Sequence, residues 1–161
     1  MPKEINLQRE ISKYQFKSKI KIQFHQVDAV GILYNVQYLI IFENARFEYL
    51  NNLGLFLSLK DIIQQFPVMT ASHKIDYINS AEFADEIEIY TRVSQIGTSS
   101  LIFDNVAVRN GDLILAKATT SYVLINPITK KSTPIPEEIR KKFIDFEKGN
   151  ITLKSIVNEN N

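Results

Sequence analysis

The sequence predicts an α+β domain in which one antiparallel sheet wraps around one long central helix. Three features indicate this fold: an alternating segment near the N-terminus, a long apolar helix after it, and several alternating segments in the second half. The 161 residues suit a single domain. We expect a flexible lead-in over residues 1–15, the folded domain over residues 16–147 and a tail over residues 148–161.

The composition excludes several classes of function. The chain has no cysteine, so it can form no disulfide, thiolate nucleophile or cysteine-ligated zinc site. Its formal net charge of +1 predicts no attraction to nucleic acid or to an anionic membrane. The two histidines lack the spacing of metal ligands, and the five glycines form no phosphate-binding loop. We therefore expect no metal and no cofactor.

The N-terminal residues mix charges without an apolar core, unlike a secretory signal. The longest apolar runs fall far short of the roughly 20 residues that a membrane-spanning helix needs. We therefore expect a cytoplasmic protein without a membrane span.

The first predicted strand begins at Phe16. Ile20 and Ile22 alternate with polar residues, and a period of two is typical of a half-buried strand. The residues from Asp28 to Gly31 are then expected to form a turn.

One long helix is predicted after this turn. Apolar residues recur at steps of three and four from Tyr38 to Leu53, which gives a helix of about five turns. Asn35 is the predicted N-cap, because its side-chain oxygen can accept from an early helical N–H. Gly54 is a natural stop. The more polar face of the helix is expected to include Arg46.

The second half of the chain is rich in strands. Strands are predicted over residues 73–79, 86–95, 99–109 and 113–125, and short helices over 58–65, capped by Ser58, and 137–146. Asn110-Gly111, between the last two strands, is the strongest short-range signal for a hairpin. Both strands of this hairpin are apolar on both faces, so they need two covers. We expect the long helix on one face and a second subunit on the other.

The segment from Asp28 to the start of the long helix is the most informative for function. A carboxylate there can act as a general base towards water or attack a carbonyl, and a helix N-terminus stabilises negative charge that develops on oxygen. The same aspartate can instead cap the N–H groups of its own turn before Gly31. The residues alone leave both roles open. No G-x-S-x-G elbow occurs, which argues against a serine hydrolase of the α/β type.

These residues resemble the 4-hydroxybenzoyl-CoA thioesterase type of the hotdog-fold family, and within it the bacterial acyl-CoA thioesterases associated with the Tol–Pal system. The resemblance covers about residues 17–146. The matching motifs, in chain order, are Phe24-His25-x-x-Asp28-x-x-Gly31, Phe42-Glu43-x-Ala45-Arg46, Ala81-x-Phe83-x-Asp85 and Gly97-Thr98-Ser99-Ser100.

The resemblance implies an acyl thioesterase that hydrolyses thioesters of coenzyme A or of an acyl carrier protein. It implies that Asp28 is the catalytic carboxylate and that the backbone N–H of Asn35 polarises the thioester carbonyl. It also implies homodimers, often paired into homotetramers, with the active site at the dimer interface. The residues expected to bind substrate are His25, Gly31, Tyr34, Tyr38, Phe42, Thr98 and Ser99.

Two departures from the family pattern keep other functions open. Asn35 stands where the acyl-CoA thioesterase branch usually carries histidine, and residues 97–100 lack the basic residues that some relatives use near the CoA phosphates. A non-catalytic binder of acyl thioesters is one alternative. A dehydratase acting on 3-hydroxyacyl thioesters is the other, with His25 as the only nearby histidine base.

Overall fold

The computed structural model describes residues 6–55 and 58–154. The helices are α1 (Leu7–Ile11), α2 (Gln37–Asn52), α3 (Leu59–Gln65) and α4 (Glu137–Phe146). The strands are β1 (Phe16–Lys21), β2 (Val68–Tyr77), β3 (Glu86–Ile96), β4 (Ser100–Arg109), β5 (Leu113–Leu124) and β6 (Thr152–Leu153). One antiparallel sheet and one long helix confirm the predicted fold class.

The sheet has the strand order β1-β3-β4-β5-β2, so β1 and β2 form its two edges. All neighbours on this path are antiparallel, and β6 adds a short parallel pairing to the end of β3. Asn110 and Gly111 both adopt the left-handed backbone conformation, with φ of 53° and 73°, which confirms the predicted hairpin. Edge strand β2 begins at Val68, earlier than predicted.

Helix α2 buries one stripe of its surface against the sheet. The buried residues are Tyr38, Ile41, Phe42, Ala45, Arg46, Tyr49 and Leu50. They recur every three or four positions and so share one face. The helix ends before Gly54, whose φ of 65° confirms the predicted stop. Neither α2 nor any other helix within the described residues is long and apolar enough to cross a membrane.

Two local predictions about α2 are wrong. Asn35 is not its N-cap, because the helix begins at Gln37, its N-cap is Val36, and no side chain caps it. Arg46 does not lie on an exposed polar face, since it is only 1% exposed. Arg46 fits the same spacing as its apolar neighbours, so its position on the helix outweighs its charge.

The outer face of the sheet is covered in part by the chain's own N-terminal segment. The strand residues buried there are Val106, Val108 and Ile114, and the residues packed against them include Leu7, Ile11 and Tyr14. Glu10 of α1 also forms an ion pair with Lys117 of β5 at 2.9 Å. Helix α1 therefore supplies part of the cover that the sequence analysis assigned to a second subunit. Residues 7–11 of the expected flexible lead-in are therefore helical.

The C-terminal segment covers the open end of β3. Just after α4, Glu147 Oε1 accepts hydrogen bonds from the Tyr49 hydroxyl at 2.6 Å and the Val93 N–H at 3.1 Å. Strand β6 then pairs with the last residues of β3. Part of the predicted tail is therefore a strand, and residues 155–161 lie outside the described part of the chain.

Glu147 is a buried carboxylate whose hydrogen bonding is incomplete. The residue is 0% exposed, and Oε2 has no hydrogen-bond partner among the described residues. Burial favours the neutral acid and raises the pKa of Glu147, although the hydrogen bonds from Tyr49 and Val93 act in the opposite direction. The folded protein therefore holds a proton on this group more tightly than the unfolded chain does.

We expect Glu147→Gln to gain stability relative to the wild type as the pH rises above 4.5, the ordinary pKa of a glutamate. Because the folded-state pKa of Glu147 lies above the unfolded value, the wild type loses stability as the pH rises from the unfolded value through the folded one. Glutamine keeps an acceptor oxygen and does not titrate. Urea denaturation of both proteins, at one chain concentration and several pH values, measures the difference in free energy of unfolding.

The matched control is Glu138→Gln, which changes an exposed carboxylate on α4. Its stability relative to the wild type should not rise with pH in the way expected of Glu147→Gln. A difference for Glu147→Gln that is equally flat would show that Glu147 has the same pKa in the folded and unfolded states.

Candidate functional site

Asp28 opens a tight turn. Its N–H donates to the Ile32 carbonyl at 2.8 Å, its carbonyl accepts from the Gly31 N–H at 3.0 Å, and Val27 and Leu33 form an antiparallel bridge around it. Gly31 has a φ of 84°, the left-handed conformation that a three-residue hairpin loop requires at its last position.

The Asp28 carboxylate takes part in this turn through one oxygen. Oδ1 accepts hydrogen bonds from the N–H groups of Val30 and Ile32 at 2.9 and 3.2 Å, which is the capping role that the sequence allowed. Oδ2 makes no hydrogen bond within residues 6–55 and 58–154, and the residue is exposed. One oxygen of Asp28 is thus held in place while the other stays accessible.

The loop before β3 holds this turn against the sheet. The Leu33 N–H donates to the Ala81 carbonyl at 2.8 Å, and an ion pair between Asp85 and Arg109 at 2.7 Å fixes the same loop to β4. Burial opposes the charge on Asp85, but the hydrogen bonds from Arg109 and from the Glu82 N–H outweigh it and lower the pKa of Asp85. The turn that contains Asp28 is therefore anchored through a charged pair.

Asn35 lies at the uncapped start of α2. The Gln37 N–H donates to the Tyr34 carbonyl at 2.8 Å, and the Val36 N–H donates to Asn35 Oδ1 at 3.0 Å. The N–H of Asn35 itself makes no hydrogen bond in the described part of the chain. A free N–H at the positive end of a helix is a ready donor to an anionic or carbonyl oxygen.

A cavity of about 280 Å³ opens beside this helix start. Its lining residues are Ile32, Leu33, Asn35, Tyr38, Tyr77, Ile78, Asn79 and Ser80. The rings of Tyr38 and Tyr77 meet edge to face with their centroids 5.5 Å apart. Burial, followed by the proximity of Tyr77, raises the pKa of Tyr38 to about 12, so its hydroxyl stays neutral at physiological pH.

Of these eight lining residues, only Asn35 and Tyr38 were predicted from the sequence as site residues. Tyr77 ends a predicted strand, but nothing in the linear pattern shows that this strand end reaches the start of α2. Tyr77 was recognisable as a strand residue, and only the folded sheet gives it a place in the cavity.

Outside this lining lie Asp28 and four residues expected to bind substrate: His25, Gly31, Tyr34 and Phe42. His25 is exposed in a short 3₁₀ turn, and Tyr34 is about half exposed. Phe42 is only 1% exposed and packs beside Tyr38, with ring centroids 6.0 Å apart. Phe42 therefore packs against Tyr38, which lines the cavity, and does not line the cavity itself.

Thr98 and Ser99 lie at the opposite end of the sheet. The Ser99 carbonyl accepts from the last residue of β5 at 2.8 Å, and that residue pairs with Val68 at the start of β2. Asn35 instead meets Tyr77 at the end of β2. At about 3.3 Å per strand residue, the two ends of β2 are roughly 30 Å apart. Within one chain the expected site residues thus form two groups.

The structure supplies a basic residue at the Thr98 turn. Arg140 of α4 donates from Nη2 to the carbonyls of Gly97 and Thr98 at 3.0 and 3.4 Å. Residues 97–100 themselves include no basic side chain, and Arg140 reaches them only because tertiary packing brings α4 to the turn.

A larger cleft of about 500 Å³ lies on the other edge of the sheet, at β1 and the tip of the β4–β5 hairpin. None of the expected site residues lines it. Its charged side chains include Lys19 and Glu88, which form an ion pair at 3.5 Å, and Lys17 pairs with the same carboxylate at 2.8 Å. We therefore interpret this cleft as a charged edge of the sheet that faces solvent.

Comparison with known proteins identifies the family. The family model described as Thioesterase-like superfamily matches residues 22–143. This chain belongs to the thioesterase-like superfamily. The matched segment contains Asp28, the whole of α2 and the turn at Thr98 and Ser99, whereas α1 and β6 lie outside it.

Individual relatives agree with this assignment. Acyl-CoA thioesterase YbgC of Haemophilus influenzae is 29% identical over 128 residues, which cover 80% of this chain and 93% of that protein. The crystal structure of Slr0204, a 1,4-dihydroxy-2-naphthoyl-CoA thioesterase from Synechocystis, has a TM-score of 0.73 at 22% identity and covers 81% of this chain and 96% of its own.

A thioesterase from Thermus thermophilus, solved in complex with coenzyme A and Zn, has a TM-score of 0.74 at 23% identity. The match covers 84% of this chain and 96% of that one. Together these structural likenesses confirm the hotdog fold.

We expect Gly31→Ala to destabilise the protein by about 1 kcal/mol, because an L-residue pays roughly 1–2 kcal/mol to adopt the left-handed conformation. No atom lies within 4 Å of the added Cβ, so the loss comes from backbone strain rather than from a clash. Urea denaturation measures it.

Gly111→Ala is the matched comparison, since Gly111 also has a positive φ and open space around it. Both variants should lose similar stability. A neutral Gly31→Ala beside a destabilised Gly111→Ala would contradict the turn described for Asp28.

Proposed function

We propose that this protein is a thioesterase that hydrolyses acyl-CoA thioesters, with Asp28 and the N–H of Asn35 as its catalytic groups. The observation that carries the proposal is that one short segment holds both a carboxylate with one free oxygen and an unpaired N–H at the start of a helix, and that the residue with this N–H lines a cavity. Membership of the thioesterase-like superfamily and the printed activities of its relatives support it.

In the proposed reaction, Asp28 Oδ2 accepts a proton from water as the water oxygen attacks the thioester carbonyl. The C–S bond then breaks, and the proton passes to the leaving thiolate. In the covalent version, Oδ2 attacks the thioester carbonyl and the C–S bond breaks, which releases the thiolate and leaves an anhydride between Asp28 and the acyl group. Water then hydrolyses this anhydride, and attack on the Asp28 carboxyl carbon would leave labelled oxygen in the side chain. Oδ1 stays bound to the turn in either route and fixes the direction of Oδ2.

The N–H of Asn35 would donate to the carbonyl oxygen as negative charge develops on it. Such a donor stabilises the developing negative charge most when it is already oriented and needs no rearrangement during the reaction. The helix dipole of α2 adds partial positive charge at the same place. The hydrogen bond from Gln37 to the Tyr34 carbonyl polarises the peptide that contains the Asn35 N–H, which strengthens it as a donor.

The cavity beside Asn35 would receive the acyl group. Leu33 and Ile32 supply aliphatic surface, and Tyr38 supplies an aromatic face with a neutral hydroxyl. Neither Asp28 nor His25, the base that a dehydratase would use, lines this cavity within one chain. Hydrolysis is favoured over dehydration because the relatives are named as thioesterases.

A homodimer joined through β2 would bring the two groups of site residues together. β2 is a sheet edge of ten residues whose outer N–H and C=O groups face no other strand within the described residues. If two copies pair these edges antiparallel about a two-fold axis, the Val68 end of one copy meets the Tyr77 end of the other. Thr98 and Ser99 of one copy then approach Asn35 of its partner and can bind the CoA portion of the substrate.

Asp28→Asn should lower kcat for the best acyl-CoA substrate by at least about 100-fold, the usual scale for losing a general base. Asparagine keeps an oxygen that can accept from Val30 and Ile32, so the turn should persist. Release of free thiol from short, long and aromatic acyl-CoAs measures the rate.

The control for this variant is Asp112→Asn, which alters an exposed aspartate in the β4–β5 loop. It should retain wild-type turnover. Full activity in Asp28→Asn would overturn the proposed mechanism, and tight acyl-CoA binding by a wild type that never turns over would favour the non-catalytic binder.

Met69→Asp should shift the protein from dimer towards monomer and reduce its activity in parallel. Met69 lies on β2 and is 52% exposed in the single chain. Because antiparallel pairing would put the Val68 end of one copy beside the Tyr77 end of the other, an aspartate at position 69 would approach Asp76 of the partner subunit, and like charges repel. Light scattering coupled to size-exclusion chromatography measures the mass, with a monomer at 18.6 kDa.

Ile128→Asp provides the matched control, because Ile128 is 88% exposed in the loop after β5. It should leave both mass and activity unchanged. A wild type that is active as a monomer would refute the shared site.

A further inference from the structure

The hydroxyl of Tyr77 joins the edge of the sheet to the start of α2. Tyr77 is the last residue of β2, and its Oη donates to the carbonyl of Asn35 at 3.1 Å. No prediction from the sequence gave Tyr77 a role at the site.

The start of α2 depends on such an outside contact. No side chain caps this helix, and its first turn is closed by hydrogen bonds between residues three apart. The bond from the Tyr38 N–H to the Asn35 carbonyl is 3.3 Å long, near the upper limit for an N–H···O bond. The phenol of Tyr77 therefore adds a second donor to a carbonyl that the helix itself holds weakly.

We infer that Tyr77 is a positioning residue, whose hydroxyl fixes the Asn35 backbone so that its N–H points at the substrate carbonyl. The inference rests on the proposed thioesterase function. Residue 35 is held from both sides: Gln37 fixes the peptide before it through the Tyr34 carbonyl, and Tyr77 fixes the peptide after it. With both peptides held, little freedom remains in the direction of the Asn35 N–H.

The ring and the hydroxyl of Tyr77 make different contacts. The ring borders the cavity and packs edge to face on Tyr38, whereas the hydroxyl reaches the Asn35 carbonyl. Tyr77→Phe keeps the ring and removes only the hydrogen bond. Because hydrogen bonds weaken steeply as their angle closes, a small reorientation of Asn35 lowers the stabilisation of the oxyanion more than it lowers substrate binding.

We expect Tyr77→Phe to lower kcat about three- to tenfold with KM nearly unchanged, the scale of one neutral hydrogen bond. The matched control is Tyr90→Phe, which removes another strand tyrosine hydroxyl, bonded to Glu88 at 3.1 Å, away from the cavity. Tyr90→Phe should keep wild-type kcat and KM.

Two inhibitors separate positioning from a general structural effect. One is a CoA ketone in which a methylene replaces the thioester sulfur, and the other is an S-alkyl CoA thioether without a carbonyl. Tyr77→Phe should weaken binding of the ketone and reduce the downward shift of its carbonyl stretching frequency. Binding of the thioether should stay the same, and equal weakening of both inhibitors would overturn the inference.

The amide resonance of Asn35 gives a readout that does not need turnover. Tyr77→Phe should shift this resonance, whereas Tyr90→Phe should leave it unmoved. An unmoved Asn35 amide together with full kcat would refute the role of Tyr77 while leaving the thioesterase proposal intact. If the wild type hydrolyses no thioester, the proposed function fails, and the amide measurement still decides whether Tyr77 orients Asn35.

Discussion

The fold depends on burying one long helix, α2, against the inner face of the sheet. Its buried stripe contains large side chains such as Tyr49 and Leu50, which are both 0% exposed. Because helix packing rather than capping fixes α2, the position of its N-terminus is decided by the sheet around it. The free N–H of Asn35 and the cavity beside it are consequences of that packing.

The contacts of Arg46 allow only one placement of α2 against the sheet. Its guanidinium donates to Tyr122 at 2.9 Å, Thr120 at 3.2 Å and Asn105 at 3.3 Å, and no carboxylate pairs with it among the described residues. A buried cation without such acceptors would be strongly destabilising. Since one residue along a helix is a rotation of about 100°, any slip of α2 would remove Arg46 from all three partners.

The geometry of the sheet explains why the proposed site needs two copies of the chain. A single chain puts Asp28 and Asn35 at one end of edge strand β2 and Thr98 at the other, about 30 Å away. Antiparallel pairing of two such edges reverses one copy relative to the other and so cancels this separation. Helix α1 and strand β6 do not pair with edge strand β2, so within the described residues they leave this edge open.

The sequence by itself determined the elements with local causes. Local sequence predicted the alternation in β3, β4 and β5, the Asn110-Gly111 hairpin and the Gly54 stop. These features depend only on the period of the side chains and on backbone freedom at single residues. The same local chemistry predicted the turn at Asp28. Tertiary structure decided what depends on distant residues. The burial of Arg46, the cover supplied by α1 and the hydrogen bond from Tyr77 to Asn35 each join segments far apart in the chain, and no local pattern encodes such meetings.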